Sequence, residues 1–280
     1  MTKFTPKPIE RNVNISHTSS VREFFMLFLG LLGVLIVSYV LLGLTLNLLI
    51  SQMPLKFENS ISHFYNPDKW ETAEIDDVNQ KNVQKVLDGL VDHLPVKDKE
   101  YRVFIVQDEM VNAFALPGGN ILIMDGLLKD IDTENELAMV LAHELGHYQN
   151  KDQLKGLSRG IVVVFLTSVI FGNNNNVTGF VSGALTSLEM KFSRVQEAQA
   201  DQFGLMLLNK TYGHVGGATD FFLKLKEKEK LPKFLRYFSS HPIDEIRIKQ
   251  IQHLIGTNSY PIKEKIPFSL EKKTVEESSG

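Results

Sequence analysis

The sequence predicts an α+β fold, mainly helical, with a small β-sheet and an N-terminal transmembrane helix. Three observations predict it. Phe24–Ile50 is an uncharged run of 27 residues. Two short segments near the middle are rich in β-branched and aromatic residues, and most of the remainder carries apolar residues at helical spacing.

The apolar run comes first along the chain. A helix of 27 residues is about 40 Å long, enough to cross a hydrocarbon core of about 30 Å with some tilt. A cleaved signal peptide has an apolar region of about 7–15 residues and a small-residue cleavage site, and neither is evident. Lys3, Lys7, Arg11 and Arg22 precede the run, whereas only Lys56 and Lys69 follow it closely. The positive-inside rule therefore puts the N-terminus in the cytosol and the folded domain outside it, on a single pass through the cell membrane (the periplasmic side in a Gram-negative cell). The expected organisation is a cytosolic tail at 1–23, the span at 24–50, a linker at 51–73, one domain at 74–255 and a loose polar tail at 256–280.

Within the domain, Val83, Val86, Leu87, Leu90 and Val91 are spaced as in a core helix that ends before Pro95. The segments 101–107 and 120–126 read as strands. Pro117-Gly118-Gly119 lets the chain turn tightly or approach another chain closely. A strand at that border could pair with an extended peptide through main-chain hydrogen bonds. Phe221–Lys230 reads as a further helix with a basic, solvated end.

Thr133 followed by Glu136 forms a capping-box pattern, so a helix opens near Glu134. Leu137, Val140, Leu141 and Leu145 give it an apolar face. His143 and His147 stand at i and i+4 and project from one side, the reach two imidazoles need to grip one zinc ion at about 2.0–2.1 Å. Glu144 borders the same space, where it can take a proton from an activated water. A third ligand is still needed. The pattern that continues with glycine and histidine is excluded, because Asn150 and Gln153 occupy those positions. A later helix, 192–208, carries Glu197 and Asp201 on one face, so that one can bind metal while the other hydrogen-bonds a ligand histidine.

His143-Glu144-Leu145-Gly146-His147, Ser193 to Asp201, "NAFALPGG" (112–119) and "SHPIDEIRI" (240–248) together resemble the HtpX/CAAX-prenyl-protease superfamily of zinc metallopeptidases, across roughly residues 75 to 255. The resemblance implies a compact gluzincin core, one zinc ion per chain, His143, His147 and Glu197 as ligands, and Glu144 as general base. It also implies Asp201 as the carboxylate behind a ligand. Arg247, six residues beyond His241, is expected to anchor the 240–248 segment electrostatically. Asn112, Ala113, Phe114, Gly118 and Gly119 are implied to line the substrate. For His241 two roles follow: polarising the tetrahedral intermediate, which is the expectation, or filling the fourth zinc position in a resting form.

A second apolar region, 161–171 and 177–188, is split by Gly172 and four asparagines. Each half is too short to span alone, and Gly179 and Gly183 permit close packing. The expectation is a buried hairpin covering the metal helices; the alternative is a pair that dips into the bilayer. Multi-span members of the superfamily cross the membrane here; with one expected span, nothing supports a prenylated substrate.

Composition bounds the rest. With 280 residues and 43% hydrophobic content the chain can bury one sizeable core. A net charge of −3 without a long basic stripe argues against a nucleic-acid partner. Cysteine is absent, which excludes disulfides and thiolate ligation. No sequence feature sets an oligomeric state. The function expected is a membrane-anchored zinc endopeptidase that cleaves extended or misfolded protein segments near the lipid bilayer, as in quality control. The competing expectation is a catalytically silent binding or chaperone module, disfavoured because His143, Glu144, His147 and Glu197 are all intact.

Overall fold

A computed structural model of the chain describes residues 19–53, 77–94, 100–171, 191–228, 232, 237, 240–242 and 245–271. The expected cytosolic tail up to residue 18, most of the expected linker, and the 177–188 half of the expected hairpin with Gly179 and Gly183 lie outside the described residues.

Helix α1 (Ser20–Gln52) has 33 residues and opens on Ser19, whose hydroxyl accepts from the Arg22 N–H at 3.2 Å. Its large apolar side chains are exposed along its length, and Ile50 near its end is buried. At about 1.5 Å per residue the helix is about 50 Å long. Among the described residues it is the one helix long and apolar enough to cross a membrane. So much exposed apolar surface is stable in lipid and costly in water.

Helix α2 (Asp77–Val91) buries Val83, Val86, Leu87 and Leu90 and closes one edge of the sheet. Strand β1 (Arg102–Val106) turns its outer edge to this helix. There Gln84 accepts from Val103 N–H at 2.9 Å and donates to Tyr101 C=O at 3.0 Å. Gln80 accepts from Ile105 N–H at 3.3 Å and donates to the Val103 carbonyl. Two glutamines one turn apart thus pair an edge that would otherwise be open to another strand. Strands β2 (Ala113–Leu116) and β3 (Asn120–Met124) complete a sheet of order β1-β3-β2, parallel between β1 and β3 and antiparallel between β2 and β3. Gly118 and Gly119 make the β2–β3 turn at φ 91° and 85°, a region that glycine enters at little cost. Helix α3 (Asp125–Leu128) follows β3 directly.

Helix α4 (Glu134–Gln149) begins where the sequence predicts, with Thr133 accepting from the Glu136 N–H at 3.2 Å. The reciprocal half of the capping box does not form. The Glu136 carboxylate instead accepts from Asp132 N–H at 3.1 Å and pairs with Lys224 at 2.8 Å. Every residue from Asn135 to Tyr148 is buried, so α4 is a central helix and not one with a single apolar face. It packs most closely on α6 (Arg194–Tyr212), which opens on a complete Ser193–Gln196 capping box and ends at Gly213 with φ 70°. The two backbones approach so closely that a Cβ on Gly146 would lie 2.9 Å from Ala200 Cα. The glycine of His-Glu-Leu-Gly-His is therefore a packing requirement.

Helix α5 (Asp152–Phe171) is continuous and packs chiefly along α1 and less on α4, so the first half of the expected hairpin accompanies the anchor more than it covers the metal helices. Helices α7 (Asp220–Glu227) and α8 (Glu245–Thr257) complete the domain. The expected loose tail is corrected for residues 258 to 271, which are tied down by their backbone. Val215 N–H donates to Pro261 C=O at 2.8 Å, Glu134 N–H to Ile266 C=O at 2.8 Å and Phe268 N–H to Asp132 C=O at 3.0 Å. Glu271 N–H reaches Asn79 Oδ1 at 2.9 Å. Polar composition concealed this segment because its hold on the domain is largely main-chain hydrogen bonding, with Tyr260, Phe268 and Leu270 only partly buried against the core.

Candidate metal centre

Helix α4 puts His143, Glu144 and His147 fully inside the protein, and α6 brings Glu197 and Asp201 against them. His143 Nε2 lies 3.1 Å from His147 Nε2. Glu197 Oε2 is 3.6 Å from His143 Nε2, and its Oε1 is 3.3 Å from His147 Nε2. His241 Nδ1 joins them, 3.3 Å from His143 Nε2 and 3.1 Å from Glu197 Oε1. These four residues each offer a ligand atom, all within 4.8 Å of one another. Donors spaced about 2.0–2.1 Å from a common tetrahedral centre lie about 3.3 Å apart, so the set fits a zinc ion.

The carboxylate count points the same way. Glu144, Asp152, Glu197 and Asp201 are all buried, and among the described residues the one buried guanidinium facing them is Arg247. Buried carboxylates demand compensating positive charge, which a divalent cation provides.

Each histidine is held from behind. His143 Nδ1 lies 2.9 Å from Asp201 Oδ1 and His147 Nδ1 lies 3.0 Å from Asp152 Oδ2. A carboxylate accepting from Nδ1–H fixes the ring and leaves Nε2 as the free lone pair. Phe192 stacks on His147 with centroids 3.9 Å apart. Burial drives both imidazoles toward the neutral form. On His143 burial prevails and its pKa falls below the usual histidine value; on His147 the carboxylates of Asp152 and Glu197 outweigh burial and raise it to about 9.

Arg247 Nε and Nη2 donate to the two oxygens of Asp201 at 2.7 and 2.8 Å, and Nη1 pairs with Glu197. Burial raises the carboxyl pKa of Glu197 and Asp201, but His241 and Arg247 on the former and Arg247 on the latter outweigh it, so both lie below their ordinary values. Arg247 thus links α8 to the acidic face of α6 as well as anchoring its own segment.

Glu144 is oriented by the sheet: its Oε2 accepts from Ala115 N–H at 3.0 Å. Its Oε1 has no hydrogen-bond partner among the described residues and faces His241 Nε2 at 3.5 Å. Asn112 is buried and its Oδ1 accepts from Ala113 N–H at 3.0 Å. Both outward amides of the edge strand β2 are therefore paired with side chains. Phe114, half-buried, sits between them. Gly118 and Gly119 serve the turn, and no hydrogen bond joins either to the donor cluster among the described residues.

Three residues of the site escape sequence reading. Asp152 lies five positions beyond His147, a spacing that a continuous helix would turn away; only the chain reversal at Lys151 (φ 55°) brings it back. Phe192 and Tyr237 carry no motif. Tyr237 is buried against His241, ring centroids 4.9 Å apart, and its hydroxyl has no hydrogen-bond partner among the described residues.

Residues 77–255 match the model of peptidase family M48. The chain belongs to peptidase family M48. Within this M48 chain, 174 residues are 28% identical to the mitochondrial metalloendopeptidase OMA1 of Schizosaccharomyces pombe, covering 61% of this chain and 51% of that protein. The OMA1 of Arabidopsis thaliana is 32% identical over 114 residues, 39% of this chain and 22% of its own. The beta-barrel assembly-enhancing protease of Yersinia pestis is 23% identical over 167 residues, 55% and 34% respectively. The M48 chain thus spans about half the length of these relatives or less.

Proposed function

We propose that this M48 chain is a membrane-anchored zinc metalloendopeptidase, with His143, His147 and Glu197 holding the metal and Glu144 acting as general base. The observation that carries the reading is the buried four-donor cluster with an unpartnered Glu144 oxygen beside it. When bound, zinc supplies a Lewis acid that acidifies water toward a pKa of about 7 and polarises a carbonyl. Glu144 takes the attacking water's proton at Oε1 while Ala115 N–H holds its other oxygen, and the same carboxyl then delivers that proton to the leaving amine. The relatives named metalloendopeptidases support the reaction class.

The substrate class is extended or misfolded protein segments near the bilayer, in a quality-control role. A bound peptide lies along β2, using its outward carbonyls. The anchor is a single pass by α1 with the N-terminus in the cytosol and the catalytic domain on the other side. Protease added outside right-side-out vesicles then digests the domain after Ile50; digestion only after lysis reverses the topology.

His241 supports a second state. Its Nδ1 stands among the donors, where it would serve as a fourth ligand to a bound zinc and take the place of the attacking water. In that reading the form described is latent, and His241 must withdraw for turnover.

The deciding experiment is metal analysis and casein cleavage on the full chain, alongside Glu144→Gln. Equimolar zinc in both proteins with cleavage by the wild type alone is the expected result. Zinc without cleavage by either protein, and without cleavage by His241→Ala, points to the silent binding module.

A further inference from the structure

The reversal between α4 and α5 holds a residue that the chemistry above does not use. Lys151 has φ 55°, a conformation in which side-chain-bearing residues are disfavoured and glycine is the default. It is also buried, 9% exposed, where lysine is rarely found unless paired. Its ammonium reaches the end of α1: Nζ donates to Ile50 C=O at 3.1 Å, to Ser51 C=O at 3.2 Å and to the Met53 carbonyl. Ile50 C=O also accepts from Met53 N–H at 3.2 Å, so the ammonium adds a charged donor to the last, partly paired carbonyls of the helix, where the dipole favours a cation. The last turn of α1 has no basic residue of its own. The cap therefore comes from about a hundred residues away.

The neighbours of Lys151 give the contact its meaning. His147 precedes it by four residues, and Asp152, the partner of His147, follows it directly. Ile50 is buried beside it, and α5 continues from this point along α1. The end of the membrane helix and the rear of the metal site meet at one residue held in an unfavourable backbone conformation. Strain persists at such a position only when the surroundings impose it.

We infer that Lys151 is a positioning residue that clamps the C-terminal end of the membrane helix to the metal-site helix, so that the anchor fixes the height at which a peptide is cut above the bilayer. This rests on the endopeptidase reading for its cutting step. With the clamp closed, the reach from membrane surface to cleavage point is a constant of the fold. With it open, α1 is held by its packing along α5 without the fixed end, and the reach becomes variable.

The experiment uses the full chain in nanodiscs with a substrate carrying one transmembrane helix followed by an unstructured, cleavable polar segment. Cut positions are mapped by mass spectrometry, and hydrogen exchange is followed at the amides of Ile50 to Met53. Lys151→Gly relaxes the left-handed backbone but removes the cation, Lys151→Met removes the cation alone, and Lys151→Arg restores it. The expected result is one narrow window of cuts for the wild type and Lys151→Arg. Lys151→Gly and Lys151→Met should cut over a window at least about twice as broad and exchange at least about tenfold faster at the end of α1, with zinc content unchanged. An unmoved window in both variants overturns the inference, whether or not exchange accelerates. Equal exchange in all four proteins also overturns it, and that arm reads the clamp even if nothing is cleaved. Absence of cleavage by the wild type, with exchange accelerated in Lys151→Gly and Lys151→Met, sinks the endopeptidase reading and the cutting height with it, leaving only the clamp.

Discussion

The backbone N–H of Ala115 donates to Glu144 Oε2 at 3.0 Å, joining the edge strand of the sheet to the helix of the donor cluster through the residue proposed as base. Both groups are buried. The bond leaves Glu144 one oxygen for proton transfer and fixes where that oxygen points.

This bond separates two substitutions that chemistry alone would not. Glu144→Gln and Glu144→Ala should each lower cleavage by about 10²–10⁴-fold, because neither can accept the water's proton. Glu144→Gln keeps an acceptor for Ala115 N–H and should unfold close to the wild-type temperature. Glu144→Ala leaves a buried N–H unpaired at a cost of about 1–3 kcal/mol. Thermal melts with equal midpoints for the two variants would show that the strand-to-helix bond contributes nothing.

The ligand histidines offer a graded test. Glu197→Ala removes a donor and should lower zinc occupancy outright. Asp152→Ala removes only the acceptor behind His147, so zinc affinity should fall by about 10–100-fold with the cluster otherwise intact. Chelator competition measures both. Full zinc occupancy in Glu197→Ala would mean that another residue is the third ligand.

What was legible in the sequence follows from how local each signal is. The i, i+4 histidines, the helix start at Glu134 and the two flanking strands depend on near neighbours, and the structure has them in place. Glu197 and Asp201 were legible as a pair because they share one helix face. Asp152 was not, since its approach to His147 depends on a backbone reversal at a non-glycine residue, which composition does not announce. The C-terminal strap was hidden for a related reason: residues such as Lys265 and Glu271 look solvated, yet their segment is held by backbone bonds to partners far away in sequence.

Asp201 gives a pH dependence. Burial raises its pKa, but the charge and hydrogen bonds of Arg247 outweigh this and lower it from 3.8 to about 2. The folded form holds its proton less tightly than the unfolded chain, so the stabilisation is complete above pH 3.8 and is lost as pH falls through about 2. A shift of that size corresponds to about 2 kcal/mol. With chelator present throughout, Asp201→Asn should be less stable than wild type at neutral pH, and the gap should close between pH 4 and 2. A gap that persists at pH 2 would assign the effect to packing.

Gly146 should not tolerate even one methyl group. A Cβ there would meet the Ala200 backbone at 2.9 and 3.0 Å, so α4 and α6 must separate to admit it. Overpacking of this kind costs about 1–3 kcal/mol, and here it also moves Glu197 away from the histidines. Gly146→Ala should therefore lose both melting temperature and zinc affinity. Loss of stability with unaltered affinity would show that the site adjusts independently of helix packing.

The sharpest test concerns His241. Its Nδ1 lies 3.3 Å from His143 Nε2 and 3.1 Å from Glu197 Oε1, inside the donor set, while its Nε2 faces Glu144 Oε1 at 3.5 Å. A side chain in that place competes with the attacking water and crowds the base. His241→Ala should accordingly raise the basal rate of casein cleavage while His143, His147 and Glu197 retain zinc. His241→Gln, which keeps polar character but alters reach, should fall between the two. If His241 instead donates to the tetrahedral intermediate, His241→Ala lowers kcat by about 10²–10³-fold with little change in KM. The two roles predict opposite signs in one assay, so a kcat measurement with zinc content verified decides between a latch and a transition-state donor.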